Sequence, residues 1–264
     1  MRISVLQLPV AVGDFARNAA ALEAQLEEAA ARGTDTVLLP ELWDIGYFPR
    51  PIERYLDAGA AKARELLSSL ARRYKVNIVG GSVAEKTGEG VKNTCFIFDR
   101  SGGCIARYSK THLFTPAKEQ KTFTPGDRLT AFRLDGVSCG IIICYDLRFP
   151  ELVRRLALDG IEVLFIAAQW PEVRLEHWRI LTQARAIDDQ LFLAAANGSG
   201  AFANGIPLAG HSVIIDPWGR RLAEAEAGPS VITADINPAE RQKIRTTFNF
   251  AADRRSDLYG DLKI

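Results

Sequence analysis

The segment from Gly136 to Leu152 constrains this chain most. Ile141, Ile142 and Ile143 are consecutive β-branched residues, a composition suited to a strand buried on both faces. The run stops at Cys144. A short turn, Tyr145-Asp146-Leu147-Arg148-Phe149, follows, and Pro150 opens a helical pattern with Leu152, Leu156 and Leu158 as apolar positions, proline being well placed in a first helical turn. Cys144 is thereby put at a strand-to-helix junction, where backbone N–H groups and a helix N-terminus stabilise negative charge. Such surroundings lower a thiol pKa from its reference of about 8.5 and make the sulfur a nucleophile. Free cysteine also packs in cores as a small hydrophobe, and this stretch alone leaves both readings open.

The rest of the chain supplies strands and helices around that junction. Residues 2–7 read as a strand, and residues 18–31 as a helix with Leu22 and Leu26 one turn apart, closed by Gly33. Residues 36–39 form a short apolar strand ended by Pro40, residues 58–74 an amphipathic helix striped by Leu66, Leu67 and Leu70, and residues 77–83 a strand. Two hairpin signals follow, at Arg100-Ser101-Gly102-Gly103 and at Asp135-Gly136. Beyond Cys144 come a buried strand at 163–166, a helix at 176–187 with apolar Ile180, Leu181, Ala184 and Ile187, strands at 191–196, 211–215 and 231–236, and a last helix from Pro238. Strands alternating with helices early and late, with hairpins between, predict a mixed α/β arrangement with helices outside. No repeat, low-complexity tract or Pro/Gly/Ser-rich linker divides the chain, so we expect one domain over residues 1–264. Its polar end, 246–264, reads as an arm lying on the body or on a second subunit.

Charge removes several classes of partner. Lys and Arg number 33 against 32 Asp and Glu, a formal net charge of +1, which gives no pull towards nucleic acid or an anionic membrane. Pro9 interrupts the start too early for a signal peptide, and no apolar run approaches a membrane span, so a cytoplasmic protein is expected. Cys95, Cys104, Cys139 and Cys144 form no C-x-x-C pair and should stay reduced. With three histidines and no H-E-x-x-H, neither a metal nor another cofactor is expected.

Three reactive side chains share one setting. Glu41 follows the strand ending at Leu39, Lys110 follows the strand ending near Tyr108, and Cys144 follows Ile143. Ligands gather at the carboxyl ends of strands in α/β sheets, so the three could converge. Taken singly, Glu41 reads equally as a solvated loop acid and Lys110 as a surface lysine.

Leu39-Pro40-Glu41-Leu42, Tyr108-Ser109-Lys110-Thr111-His112-Leu113-Phe114 and Cys144-Tyr145-Asp146-Leu147-Arg148-Phe149-Pro150-Glu151 resemble, in order, the three signature segments of the nitrilase (carbon–nitrogen hydrolase) superfamily. Thr124-Pro125-Gly126-Asp127, His177-Trp178, Gly210-His211-Ser212 and Asp216-Pro217-Trp218-Gly219 match as well, so the likeness spans nearly the whole chain. The resemblance implies a four-layer α-β-β-α sandwich, a homodimer or dimer-based oligomer, and a Glu-Lys-Cys catalytic set at Glu41, Lys110 and Cys144. It also implies a second glutamate, matched by Glu119, which orients Lys110 or the water. Lys110 and the backbone N–H of Tyr145 would form the oxyanion hole, where one lost donor costs roughly 3–4 kcal/mol.

Within the superfamily the chain most resembles the omega-amidase branch and its bacterial methionine-salvage relatives, through residues 110–114, 144–149 and the Gln169-Trp170-Pro171 loop. That likeness implies a small-molecule substrate, the short 2-oxo acid ω-amides of the 2-oxoglutaramate type, with a carboxylate at the end far from the amide. Arg148 is expected to fork onto that carboxylate, or else to pair with Asp146 or Glu151. Tyr47 would add a hydroxyl at the same end and Trp170 a wall of the pocket. Residues 254–260 also resemble deaminated-glutathione amidase, which keeps that substrate, other short amides and N-carbamoyl compounds as alternatives. A catalytically silent scaffold of the same fold is the non-enzymatic alternative.

Overall fold

The computed structural model describes residues 1–47 and 49–259. The first six strands, β1 (Arg2–Gln7), β2 (Thr36–Leu38), β3 (Asn77–Val79), β4 (Val83–Thr87), β5 (Gly90–Phe98) and β6 (Cys104–Ser109), build one sheet. The next six, β7 (Ala131–Leu134), β8 (Val137–Ile143), β9 (Val163–Ala168), β10 (Phe192–Asn197), β11 (Val213–Ile215) and β12 (Arg221–Glu224), build the other. The last strand, β13 (Ser230–Asp235), returns to the first sheet and pairs antiparallel with β1. Both sheets are mixed. β1, β2 and β3 run parallel, as do β8, β9 and β10, while hairpin strands close the edges antiparallel.

Side-chain alternation explains the layering. On β2 and just after it, Leu38 packs between the sheets, whereas Val37 and Leu39 face the helices α1 (Phe15–Ala31) and α2 (Ala61–Tyr74). Period-two alternation with apolar residues on both faces is what a strand covered on both sides requires. Leu22 and Leu26 of α1 and Leu67 and Leu70 of α2 cover the first sheet. Helices α3 (Pro150–Leu158) and α4 (Leu175–Asp188) cover the second through Leu152, Leu156 and Trp178. The result is the expected α-β-β-α sandwich. Two further helices, α5 (Pro238–Thr247) and α6 (Ser256–Tyr259), follow β13. Part of the expected arm over 246–264, its last five positions, lies outside the described residues.

Three local expectations are corrected. Helix α2 starts at Ala61 rather than Ala58, because Gly59 and Ala60 are both left-handed, at φ 62° and 53°. Leu158, expected inside, is 44% exposed at the end of α3. In α4 the buried face is Trp178, Thr182, Arg185 and Ala186, and Ile180 and Ile187 are 61% and 39% exposed. Residues 178, 182 and 185 share a face at helical spacing, and seating the indole of Trp178 turns the isoleucines outward. The Asp135-Gly136 hairpin forms as read, with both residues at positive φ, 48° and 85°, as a type I′ turn needs. Among the described residues no helix is long and apolar enough to cross a membrane.

Candidate active site

The carboxyl ends of β2 and β9, one from each sheet, meet at Glu41. Its backbone N–H donates to the carbonyl of Ala168 at 3.3 Å, and the Gln169 side chain returns a bond to the Glu41 carbonyl at 2.7 Å. The carboxylate is fully buried and accepts three bonds: from the Gln169 backbone N–H at 3.0 Å, from Asn93 Nδ2 at 2.8 Å and from Lys110 Nζ at 2.8 Å. A buried charge so thoroughly hydrogen-bonded is held in one orientation.

Lys110 leaves β6 and is anchored by its backbone N–H to the carbonyl of Asn93 at 2.8 Å. Its ammonium, wholly buried, places one bond on Glu41 and reaches both oxygens of Glu119 at 3.0 Å. Burial opposes the charge, but the two carboxylates outweigh it and hold Lys110 as an ammonium with its pKa well above the usual value. Glu119 lies in a single 3-10 turn at Glu119–Lys121 and also accepts from the Phe114 backbone N–H. Burial pushes its carboxyl up; the Lys110 charge pulls the other way and Glu41 adds to the rise.

Cys144 ends β8 in a left-handed conformation, φ 47°, a strained junction of the kind that lifts a nucleophile out of a strand. The turn after it, Cys144–Arg148, is 3-10. The expected lowering of the thiol pKa is not what the surroundings produce. Burial raises it well above the ordinary range, and the neighbouring Glu41 carboxylate raises it further, with Lys110 opposing. The sulfur therefore rests as a thiol beside a hydrogen-bonded carboxylate, because an acid and a dry interior outweigh the dipole of a five-residue turn. Asp146 braces that turn: its carboxylate accepts from the Ile143 backbone N–H at 3.0 Å, the Tyr108 hydroxyl at 2.7 Å and the His112 backbone N–H at 2.8 Å. This ties the Cys144 turn to the segment that carries Lys110.

A cavity of about 610 Å³ opens over the thiol. Cys144, Tyr145, Tyr47, Arg148 and Trp170 all line it. Arg148 does not pair with Asp146 or Glu151. Its guanidinium lies 4.8 Å over the Trp170 ring and meets His177 Nδ1 at 3.2 Å. Trp170 is buried, with its indole N–H on the Arg174 carbonyl at 2.8 Å. Tyr47 packs edge-on to Phe202 at 5.2 Å, and burial keeps its phenol protonated.

Sequence reasoning missed Asn93, Gln169, Asp146 and Arg174. Asn93 carried a signal, an amide inside a β-forming run where Asn is normally depleted. Asp146 carried none, since its partners lie about 35 residues away along the chain.

A carbon–nitrogen hydrolase family model matches residues 2–246. The 2-oxoglutaramate amidase of Bacillus subtilis (strain 168) is 39% identical over 257 residues, 97% of this chain and 98% of its own. The chloroplastic omega-amidase of Arabidopsis thaliana is 36% identical, covering 97% of this chain and 73% of its own. Among solved structures, a variant of the amidase from Nesterenkonia sp. AN1 superposes at TM-score 0.87 with 27% identity, over 98% of this chain and 95% of its own. In that structure the acetamide moiety of fluoroacetamide is covalently added at the active-site cysteine. Matched over nearly its whole length and built on the same four layers, the chain belongs to the carbon–nitrogen hydrolase (nitrilase) superfamily and is an enzyme of that class.

Proposed function

We propose that this amidase releases ammonia from short ω-amides of 2-oxo dicarboxylic acids, of the 2-oxoglutaramate type, through a thioester on Cys144. The observation that carries this reading is the pairing of a buried Glu41–Lys110–Glu119 cluster beside the thiol with an arginine-bearing cavity above it. The likeness to 2-oxoglutaramate amidase and omega-amidase supports the choice of substrate.

An amide is a poor electrophile, so splitting its hydrolysis into two acyl transfers lowers the barrier of each. Glu41 takes the thiol proton as sulfur attacks the carbonyl carbon. The carbonyl oxygen becomes an oxyanion held by the Lys110 ammonium and the Tyr145 backbone N–H. Glu41 then returns the proton to the departing nitrogen, the C–N bond breaks, and ammonia leaves an acyl thioester. Water, deprotonated by Glu41, attacks that thioester, and the C–S bond breaks to restore the thiol and release the acid. Glu119 moves no proton; it orients Lys110. At the far end Arg148 binds the carboxylate, Tyr47 offers a hydroxyl and Trp170 forms the wall.

Ammonia release across ω-amides, neutral amides, nitriles and N-carbamoyl amino acids tests the substrate, and a neutral amide preferred over 2-oxoglutaramate defeats it. Cys144→Ala should abolish acyl-enzyme formation by mass spectrometry; ammonia release near the wild-type rate would remove the nucleophile. The same reading takes the chain as one domain and as a homodimer. Exposed Ile180, Ile187, Trp218 and Phe248 offer an apolar face for a second copy, which sedimentation velocity tests.

A further inference from the structure

Two of the arginines in the cavity wall, Arg148 and Arg174, have no anion of their own among the described residues. Among the described residues no Asp or Glu side chain lines the cavity, while Arg50, Arg148 and Arg174 do, and of these Arg50 is already engaged. Neither Arg148 nor Arg174 pairs with a carboxylate among those residues: Arg148 meets His177 and Trp170, and the Arg174 guanidinium lies 5.4 Å over the Phe114 ring. An aromatic face occupies only the π-surface of a guanidinium and leaves its in-plane N–H donors for a ligand. The two are fixed relative to each other through Trp170, whose ring carries Arg148 and whose indole N–H holds the Arg174 carbonyl. Arg174 closes the 3-10 turn Glu172–Arg174, with its N–H on the Pro171 carbonyl at 3.0 Å, so its backbone is set before any ligand arrives.

One carboxylate satisfies one guanidinium fork. A second, separately mounted guanidinium in the same wall, with no carboxylate partner among the described residues, calls for a second acceptor on the ligand. We infer that Arg174 is a specificity residue that reads the 2-oxo group beside the carboxylate clamped by Arg148. It thereby separates 2-oxo acid amides from amides of plain dicarboxylic acids. This rests on the function proposed above and deepens it, giving each oxygen-bearing group of the headgroup its own arginine.

The test compares 2-oxoglutaramate with glutaramate, which keeps the carboxylate and lacks the oxo group. The readout is the ratio of their kcat/KM values, which does not depend on the fraction of protein folded. Arg174→Gln should cut that ratio by about tenfold or more, the worth of a lost hydrogen bond from a charged donor, and Arg174→Lys should restore part of it. Arg148→Gln should lower kcat/KM for both acids and move their ratio by less than about twofold. A ratio that Arg174→Gln leaves within twofold of wild type overturns the inference while Arg148 dependence keeps the function standing. A wild-type enzyme that hydrolyses neither acid faster than pentanamide overturns the function and the inference together.

Discussion

Cys144 is buried and burial, with Glu41 beside it, holds its thiol pKa well above the ordinary range, so the reactivity proposed for it belongs to the pair it forms with Glu41. The Glu41 carboxylate is held by Lys110 and Asn93 on one oxygen, Asn93 donating at 2.8 Å, and by the Gln169 backbone N–H on the other. Asn93 Nδ2 also approaches Glu119 Oε1 at 3.5 Å, so one amide spans both acids. Asn93→Ala should therefore lower kcat by about tenfold with a small change in KM, since the bond supports proton transfer rather than substrate binding. Steady-state kinetics on 2-oxoglutaramate check this, and a KM effect larger than the kcat effect would refute it. Sequence reasoning saw Glu41 and Lys110 as strand-end residues; Asn93 carried only the signal of an amide in a β-forming run, which does not show what it bonds. Its role comes from β5 lying beside β6, a pairing between residues 15 apart on either side of a hairpin.

At the level of elements, the site depends on how closely the turn after β2 approaches the segment after β3. Gly81 is left-handed at φ 61°, and a Cβ there would sit 2.1 Å from the Pro40 carbonyl oxygen, against backbone. Ser82 consolidates the contact, with its N–H on the Pro40 carbonyl at 3.1 Å and its hydroxyl accepting from the Leu42 N–H at 3.0 Å. Gly81→Ala should cost about 2–4 kcal/mol in stability, from left-handed strain and overpacking together. It should also depress kcat, because the displaced turn carries Glu41. Urea unfolding and single-turnover ammonia release measure the two effects, and an unperturbed variant would mean that the turn yields freely. Residues 77–83 read as one strand in the sequence, whereas the structure breaks it at Gly80-Gly81 between β3 and β4; that this break presses on the turn carrying Glu41 was not legible, because the contact joins residues 41 apart.

For the molecule as a whole, the dependence of stability on pH exposes another buried acid. Asp44 is buried, its Oδ1 has no hydrogen-bond partner among the described residues, and burial pushes its pKa up to about 7 from 3.8. The folded chain holds this proton more tightly than the unfolded chain. Its stabilising contribution is thus complete below the unfolded value, shrinks as pH climbs and is lost by about pH 7, a span of up to about 4 kcal/mol. Asp44→Asn should melt above the wild type at about pH 8 and close on it as pH falls towards about 5. Parallel melting curves for the two proteins across that range would show that Asp44 ionises as freely folded as unfolded.

Local chemistry determined most of the strands and helices and the hairpin at Asp135-Gly136, and the ordered motifs singled out the three side chains proposed to react. β-branched runs, positive-φ turn residues and ordered motifs each act over a few positions and are written in the chain. Tertiary structure alone decided the rest. The protonation of Cys144 follows from burial beside Glu41, and the buried face of α4 from where Trp178 is seated. The direction of Arg148, away from Asp146 and onto Trp170, follows from Asp146 already being filled by Tyr108, His112 and Ile143. Dielectric environment, steric closeness and competition for a hydrogen-bond acceptor are properties of distance in space, and folding sets that distance independently of separation along the chain.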